Sequence, residues 1–262
     1  MHINDWLKNY RALAKQLSID EAKDGAATVQ LSCILDERKP LSSSDLSSRI
    51  RGNAVAVYGA GPSLGSDLDN AIELGLFDRF VNIAADGAVT SFLERDRLPS
   101  MVFTDLDGPI EDLLRSGEGS SWMVVHAHGD NMPALKEHVP RMKGQFIGST
   151  QVYPLPPKVL NLGGFTDGDR PVYWSAELGP SHLILMGMDF GSVVGSYSKA
   201  SLEGDGLQRK LKKLEIERQL IGKMATKREI LNLTGSGSAI ENVRNIQPGD
   251  VDRILKVKSY QK

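Results

Sequence analysis

The first fifty residues carry apolar side chains at helical spacing. Ile3 and Trp6 begin this pattern, which predicts one helix. Ser18 fits the cap position of a capping box at the start of a second helix, which ends before Pro40 and is followed by a polar connection. This N-terminal segment is therefore predicted to be a helical cover that packs on the rest of the chain.

From Asn53 onward, short apolar runs alternate with amphipathic stretches. Strand–helix alternation predicts βαβ units, and nearly continuous apolar strands indicate a mostly parallel sheet buried on both faces. We therefore predict an α/β fold: a Rossmann-like three-layer sandwich with a helical N-terminal segment and a helical C-terminal extension. The predicted strands cover residues 54–58, 80–84, 101–103, 122–125, 145–148 and 182–186, and the helices between them cover residues 66–76, 88–95, 133–142 and 170–178.

A charged amphipathic helix is predicted from about residue 206 to 228, where basic side chains outnumber acidic ones. Two interpretations stay open: an exposed helix face, which we favour, and a basic lid over phosphates. A last strand is predicted at residues 230–234. The chain then divides into a helical segment (1–50), an α/β domain that carries the candidate site (51–200), and the charged helix with a tail (201–262).

Composition narrows the class of protein. Hydrophobic side chains make up 40% of the 262 residues and charged ones 24%, as in soluble globular proteins, and the formal net charge is -2. No nucleic-acid or membrane partner is expected of a chain without a global basic field. The single cysteine, Cys33, excludes an internal disulfide. Without a bilayer-length apolar run or a signal-peptide pattern, we expect a cytoplasmic protein.

Aspartates follow three successive predicted strands at the points where the strands end. Asp86 follows the second strand, Asp105 and Asp107 the third, and Asp130 the fourth. Parallel strands bring their carboxyl ends to one edge of the sheet, where clustered carboxylates repel unless a cation lies between them. Since Mg²⁺ prefers a few carboxylates with phosphate oxygens and water, we predict a Mg²⁺ site from these four residues. The alternatives are an N-cap for Asp86 and a polar turn at Asp107.

A glycine-rich turn follows the first predicted strand and contains Gly59, Gly61, Pro62 and Ser63. Glycines permit a tight turn whose amides approach a phosphate at the next helix N-terminus, and Ser63 adds a hydroxyl donor. The turn lacks the third glycine of the full dinucleotide fingerprint. It is either part of a nucleotide pocket, which we favour, or a plain strand-to-helix turn.

Two histidines, His126 and His128, follow the fourth predicted strand together with Asn131. His128 is a candidate metal ligand, phosphate donor or proton carrier near neutral pH, whereas His126 is interpreted as a core residue. A zinc site is disfavoured because neither cysteines nor a helical His–Glu pair accompany them.

Two later loops add candidate residues. Thr166 and Asp167 precede a predicted helix that Asp169 can cap, and Arg170 can meet a phosphate. Asp189 follows the last long strand, where a ligand contact and ordinary turn chemistry are equally good explanations.

These motifs resemble two related enzyme families. The strand-end acids are similar to the catalytic half of thiamine pyrophosphokinases, in which an acid–glycine pair, an Asp-x-Asp and a later acid gather magnesium and ATP. Archaeal 6-hydroxymethyl-7,8-dihydropterin pyrophosphokinases share that half, and the loops here resemble theirs more closely. The first resemblance rests on residues 85–88, 99–108 and 129–131, and the second on residues 59–64, 164–170 and 187–190, within a span of about 50–195.

The resemblance implies transfer of a diphosphate from ATP to the hydroxymethyl pterin, giving AMP and the pterin diphosphate, with Mg²⁺ required. It implies that Asp105 and Asp107 hold magnesium, with Asp86 and Asp130 as further ligands directly or through water. His128 or Asp130 would accept the alcohol proton. The partners are then small molecules, with a homodimer left open. The implied nucleotide-contacting residues are Gly59, Gly61, Pro62, Ser63, Asp86, Gly87, Asn131, Thr166, Asp167 and Asp189.

Other classes stay open beside this hypothesis. Thiamine pyrophosphokinases carry a second β-sandwich domain, whereas the chain after Phe190 is mainly charged and helical in pattern, which counts against thiamine. Nucleotide-sugar glycosyltransferases also hold a metal with Asp-x-Asp, and a non-catalytic nucleotide-binding module can share the fold. The strand-end acids favour catalysis, because simple phosphate binding calls for amides and basic side chains.

Overall fold

The computed structural model describes residues 2–198 and 203–257. The helices in this part of the chain are α1 (Ile3–Leu17), α2 (Glu21–Ile34), α3 (Ser43–Ile50), α4 (Leu64–Glu73), α5 (Ala88–Leu93), α6 (Ile110–Glu118), α7 (Met132–His138), α8 (Asp169–Leu178), α9 (Gly204–Ala225) and α10 (Val251–Val257). The strands are β1 (Ala54–Tyr58), β2 (Val81–Ala85), β3 (Met101–Thr104), β4 (Trp122–Ala127), β5 (Phe146–Thr150), β6 (Val159–Leu160), β7 (His182–Met186), β8 (Leu231–Asn232) and β9 (Arg244–Asn245).

These strands form one sheet in the order β6-β5-β4-β3-β2-β1-β7-β8-β9. Neighbouring strands run parallel throughout, which confirms the predicted parallel sheet. The chain builds outward from β1 to β6 and then returns to place β7 against the other side of β1, with Ala54 opposite His182. The loops after β1 and β7 therefore diverge at a topological switch point, where open α/β sheets leave a crevice.

Alternate residues of the central strands face opposite layers. In β1, Val55 and Val57 belong to one apolar cluster, and Ala56 and Tyr58 belong to the other. The first cluster is closed by α1, α3, α8 and α9, and the second by α2, α4, α5, α6, α7 and α10. Because helices cover both faces of the sheet, the predicted three-layer α/β sandwich is confirmed.

The junction between α1 and α2 differs from the predicted capping box. Ser18 ends α1 with a left-handed φ of 55°. Asp20 caps α2 instead, because its carboxylate accepts hydrogen bonds from the amides of Ala22 and Lys23. The prediction of Ser18 as the cap is therefore wrong: the residue that terminates one helix does not begin the next.

A third helix, α3, replaces the predicted polar connection. The hydroxyl of Ser42 accepts from the amide of Asp45, while the Asp45 carboxylate accepts from the amide of Ser42. This reciprocal capping box starts the helix, and burial of Leu46 and Ile50 stabilises it against the sheet.

The structure also adds α6, α10 and the two-residue strands β6 and β9 to the predicted elements. A two-residue strand carries no periodicity that a sequence pattern can show. The division of the chain at residues 50 and 200 stays a prediction, although β8 and β9 belong to the same sheet as β1. Among the described residues, every helix is too short or too polar to cross a bilayer.

Candidate functional site

A cavity of about 950 Å³ lies at the carboxyl ends of the strands. It is lined by the loops that follow β1, β2, β3, β4 and β7, by the junction of α1 and α2, and by α9. Ligand sites typically measure about 300–1,000 Å³. This cavity therefore lies at the upper end of the range for ligand sites.

Three carboxylates meet in this cavity. Asp86, at the end of β2, and Asp105 and Asp107, after β3, each place an oxygen within 4.8 Å of the others. The backbone is bent to achieve this, since Asp86 has a φ of 40° and Leu106 a φ of 68°, both in the left-handed region. Non-glycine residues held there carry local strain, which is typical of functional sites.

The electrostatics of the group differ from one carboxyl to the next. Burial, together with the charges of Asp105 and Asp107, raises the pKa of Asp86 to about 8. Burial opposes ionisation of Asp105 as well, but the hydrogen bond from His128 and the charge of Arg170 lower its pKa to about 2. Without a cation, the group at neutral pH thus keeps a proton on Asp86 and a charge on Asp105. Divalent cations displace protons from such sites, so this donor set fits one.

Neighbouring hydroxyl and imidazole groups orient these carboxylates. Thr104 donates through Oγ1 to Asp86 Oδ1 at 2.5 Å. His128 Nε2 lies 3.2 Å from Asp105 Oδ2. Asn131 donates from Nδ2 to the backbone oxygens of Asp105 and His126, both at 2.7 Å, and so ties the loop after β4 to the loop after β3. The side-chain amide of Asn131 therefore fixes these two loops relative to each other.

Asp130 lines the cavity. Among the residues that the structure describes, it lies outside the group formed by the other three carboxylates. It is exposed, and its amide donates to Nδ1 of His128. A metal contact from Asp130 through water stays a prediction. His126 is buried, and burial followed by the charge of Arg170 lowers its pKa well below the ordinary value, as suits a neutral core residue.

The glycine-rich turn is closed by a carboxylate of the chain itself. Gly61 donates its amide to the backbone oxygen of Gly187 at 2.9 Å. Ser63 donates both its amide, at 3.2 Å, and its hydroxyl, at 3.0 Å, to Asp189 Oδ2, and the hydroxyl also lies 2.8 Å from Asp67 Oδ2. Carboxylates of the chain accept from both donors of Ser63 in this structure, and its expected phosphate contact stays a prediction.

The close packing of this turn against Asp189 and Gly187 explains why it contains glycine. A Cβ on Gly61 would lie 2.1 Å from Asp189 Oδ2, so no larger residue fits there. Gly87 is equally constrained, since a Cβ would lie 2.1 Å from the backbone oxygen of Tyr197. Gly59, Gly61, Pro62 and Gly87 all line the cavity.

Residues 32–195 match a family described as MptE-like, 6-hydroxymethylpterin diphosphokinase MptE-like. That match covers more than half of the chain. The chain belongs to the MptE-like family. The resemblance to archaeal pterin pyrophosphokinases seen in the motifs is thereby confirmed.

Curated relatives cover most of this MptE-like chain, and each carries the name 6-hydroxymethyl-7,8-dihydropterin pyrophosphokinase. The protein from Methanothermobacter thermautotrophicus is 38% identical over 83% of this chain and 91% of its own length. The protein from Methanocaldococcus jannaschii is 36% identical over 88% and 98%. The protein from Pyrococcus furiosus is 37% identical over 84% and 93%.

A solved structure shares the fold at lower similarity. It is the MAf glycosyltransferase from Magnetospirillum magneticum AMB-1, with a TM-score of 0.50, 17% identity, and coverage of 80% of this chain and 38% of that chain. A likeness at this identity supports the fold alone.

The loop before α8 in the MptE-like chain is held by its own polar side chains. Asp169 accepts from the amides of Phe165 and Thr166, at 2.9 and 2.6 Å, so it caps the loop and not the helix that it begins. Arg170 is 2% exposed and donates to Asp167 Oδ1 at 2.9 Å. Arg170 also lines the cavity, and its predicted phosphate contact stays a prediction beside this internal ion pair. Burial raises the pKa of Asp167 well above the ordinary value.

A buried aspartate of α2 joins three parts of the cavity wall, and sequence reasoning missed it. Asp24 accepts from Tyr10 Oη and Gln151 Nε2, both at 2.6 Å, and from the amide of Gly129 at 2.7 Å. These contacts link α1, the end of β5 and the loop after β4. No local sequence motif identifies such a residue, because Gly129 and Gln151 are more than a hundred residues away along the chain.

Basic residues of α9 line the cavity, while the side chains of Arg209 and Lys213 stay exposed, so the exposed face and the basic lid over phosphates both remain open interpretations of this helix. Lys210, Lys213 and Glu217 recur at a spacing that places them on one side of the helix. That spacing was available in the sequence, but the position of the helix over the site was not. The cavity-lining residues that were absent from the predicted site include Lys23, Asp24, Gln151, Arg209, Lys210, Lys213 and Glu217.

Proposed function

We propose that this chain is a Mg²⁺-dependent pyrophosphokinase that transfers the terminal diphosphate of ATP to the hydroxymethyl oxygen of 6-hydroxymethyl-7,8-dihydropterin, giving AMP and the pterin diphosphate. The names and coverage of the curated relatives support this substrate pair. The convergence of Asp86, Asp105 and Asp107 in one cavity is the structural observation that carries the proposal.

Asp86, Asp105 and Asp107 would hold the magnesium ion. A bound Mg²⁺ neutralises charge on phosphate oxygens and orients them for in-line displacement. The chain prepares the site by keeping Asp105 ionised and by fixing its direction with His128. Thr104 does the same for Asp86 through its hydroxyl.

The reaction joins the hydroxymethyl oxygen to the β-phosphorus of ATP while the bond from that phosphorus to the α–β bridging oxygen breaks. AMP leaves with this oxygen, and the alcohol proton passes to a base. We favour Asp130 as the acceptor, because it is exposed within the cavity. His128 is less suited, since Nδ1 accepts from the Asp130 amide and Nε2 faces Asp105.

The remaining predicted contacts divide by position. Asn131 and Ser63 act in our proposal through the loops that they hold, as their hydrogen bonds to the chain suggest. The other proposed nucleotide-contacting residues line the cavity: Gly59, Gly61, Pro62, Asp86, Gly87, Thr166, Asp167 and Asp189.

An AMP-release assay tests the proposal. The purified chain is given ATP and Mg²⁺ with the hydroxymethyl dihydropterin or with thiamine, and a third reaction omits the acceptor. We expect AMP and pterin diphosphate in the first reaction, and loss of both when EDTA removes the metal. Product with thiamine alone, or ATP binding without any AMP, would contradict the proposed function.

A further inference from the structure

The glycine-rich turn offers little to an anionic triphosphate. The amides of Gly61 and Ser63 donate within the chain, to Gly187 and Asp189. The Asp189 carboxylate also brings a negative charge of its own to the N-terminus of α4, where a phosphate would otherwise be attracted. The anion site expected of such a turn is therefore filled by a side chain, and the triphosphate must find its positive partners elsewhere.

The first half of α9 provides positive charge on the other side of the cavity. Lys210 and Lys213 both line the cavity and lie one turn apart on the same helix face. Asp105 and Asp107 line the same cavity as these two lysines.

These two lysines are not used to hold the fold. Over residues 2–198 and 203–257, neither Lys210 nor Lys213 forms an ion pair or a side-chain hydrogen bond, whereas Lys212 between them donates to the backbone oxygen of Gln16 at 3.2 Å. Two cations on one helix face repel each other, and an anionic ligand that contacts both recovers that electrostatic free energy. Lysine is also a common partner of phosphate oxygens.

We propose that Lys210 and Lys213 bind the β- and γ-phosphate oxygens of the nucleotide, which makes α9 a wall of the active site. The proposal deepens the proposed function and rests on it for the identity of the triphosphate. It assigns to this helix the role that the glycine-rich turn plays in other nucleotide sites.

The test compares nucleotides of different phosphate number. Lys210→Gln, Lys213→Gln and the double variant are titrated with α,β-methylene-ATP, whose carbon bridge cannot be cleaved, and with AMP, both with Mg²⁺. We expect affinity for the triphosphate analogue to fall about 10- to 100-fold for each lysine, as for one charged hydrogen bond, while affinity for AMP stays unchanged. Lys213→Arg should retain most of the affinity. Lys212→Gln is the matched control on the same helix and should bind like the wild type.

Three results would overturn the assignment: wild-type affinity of the double variant for the analogue, an equal loss for the analogue and for AMP, or no binding of the analogue by the wild-type chain. Failure of the proposed function looks different, since the wild-type chain would then release no AMP with the pterin acceptor. If the wild type turns over and the double variant keeps its KM for ATP, the lysine assignment alone fails.

Thermal melting should show all variants folded, because exposed substitutions usually change stability by less than about 0.5 kcal/mol.

Discussion

His128 places its Nε2 atom 3.2 Å from Oδ2 of Asp105, while its Nδ1 atom accepts a hydrogen bond from the amide of Asp130. Because Nδ1 acts as the acceptor, the proton of the neutral ring lies on Nε2 and is donated to Asp105. The histidine thereby fixes the direction of one carboxylate of the proposed metal site. Partners of this kind influence metal affinity without touching the metal.

Replacing His128 by phenylalanine should therefore weaken the metal site. Phenylalanine keeps the ring shape but donates no hydrogen bond to Asp105. We expect kcat/KM at low Mg²⁺ to fall about 10- to 100-fold, with much of the loss recovered as the Mg²⁺ concentration is raised. The measurement is the rate of AMP release as a function of Mg²⁺. His2→Phe, at an exposed histidine, is the control. A loss that Mg²⁺ does not reverse would point instead to His128 as the proton acceptor.

Asp105→Asn and Asp107→Asn should abolish turnover and leave the fold intact. Each change removes a charged oxygen from the three-carboxylate group, and metal catalysis is worth several kcal/mol, which corresponds to at least about a thousandfold in rate. AMP release gives the rate, and circular dichroism with thermal melting reports the fold. Asp78→Asn, an exposed aspartate outside the cavity, should behave as the wild type. Wild-type rates in both variants would remove the metal-site hypothesis.

The strand-end aspartates show how much of the site the sequence can predict. Buried parallel strands appear as continuous apolar runs, and the residue after each run lies at the ligand-binding edge of the sheet. These two rules place Asp86, Asp105, Asp107 and Asp130 at one edge of the sheet, and the structure groups the first three. Both rules are local or topological, so they do not depend on side-chain detail.

Contacts between distant segments lie beyond that reasoning. Ser63 and Asp189 are 126 residues apart, and nothing in the glycine-rich turn itself shows that a remote carboxylate accepts from its donors. The position of α9 is a second example. Its amphipathic pattern predicts the helix, but which face covers the cavity depends on how the chain travels from β7, and this path leaves no periodic signal.

Ser63→Ala tests whether this serine holds the turn or binds phosphate. The change removes a hydroxyl donor from two buried carboxylates, those of Asp67 and Asp189. We expect the free energy of unfolding to fall by about 1–3 kcal/mol and the KM for ATP to stay within twofold of wild type. Urea unfolding and steady-state kinetics give the two quantities. Ser48→Ala removes an exposed hydroxyl that bonds only within its own helix, and it should change neither. A raised KM with unchanged stability would restore Ser63 as a phosphate ligand.

Glu217 is a buried acid on the cavity side of α9, and its surroundings predict a pH effect. Burial, followed by the charge of Asp169, raises its pKa to about 7, although Lys210 and Arg170 act in the opposite direction. Thr166 donates to Glu217 Oε2 at 2.9 Å. The folded chain therefore holds a proton on this residue at pH values where the unfolded chain has lost it.

The sign of the effect follows from this difference. Below about pH 4.5 Glu217 is protonated in both the folded and the unfolded chain, and its ionisation does not lower the free energy of unfolding. As the pH rises from about 4.5 to about 7, the unfolded chain releases the proton first, so the wild-type chain loses up to about 3 kcal/mol of stability through this group. Glu217→Gln keeps an acceptor for Thr166 and carries no charge. Urea unfolding of the metal-free chain should therefore show the variant gaining stability over wild type across this range and holding a constant advantage above it. The control is Glu73→Gln, at an exposed glutamate, which should follow the wild type at every pH. If the free energy of unfolding of Glu217→Gln runs parallel to that of the wild type at every pH, the Glu217 carboxyl ionises over the same pH range in the folded and unfolded chains, which would contradict the prediction.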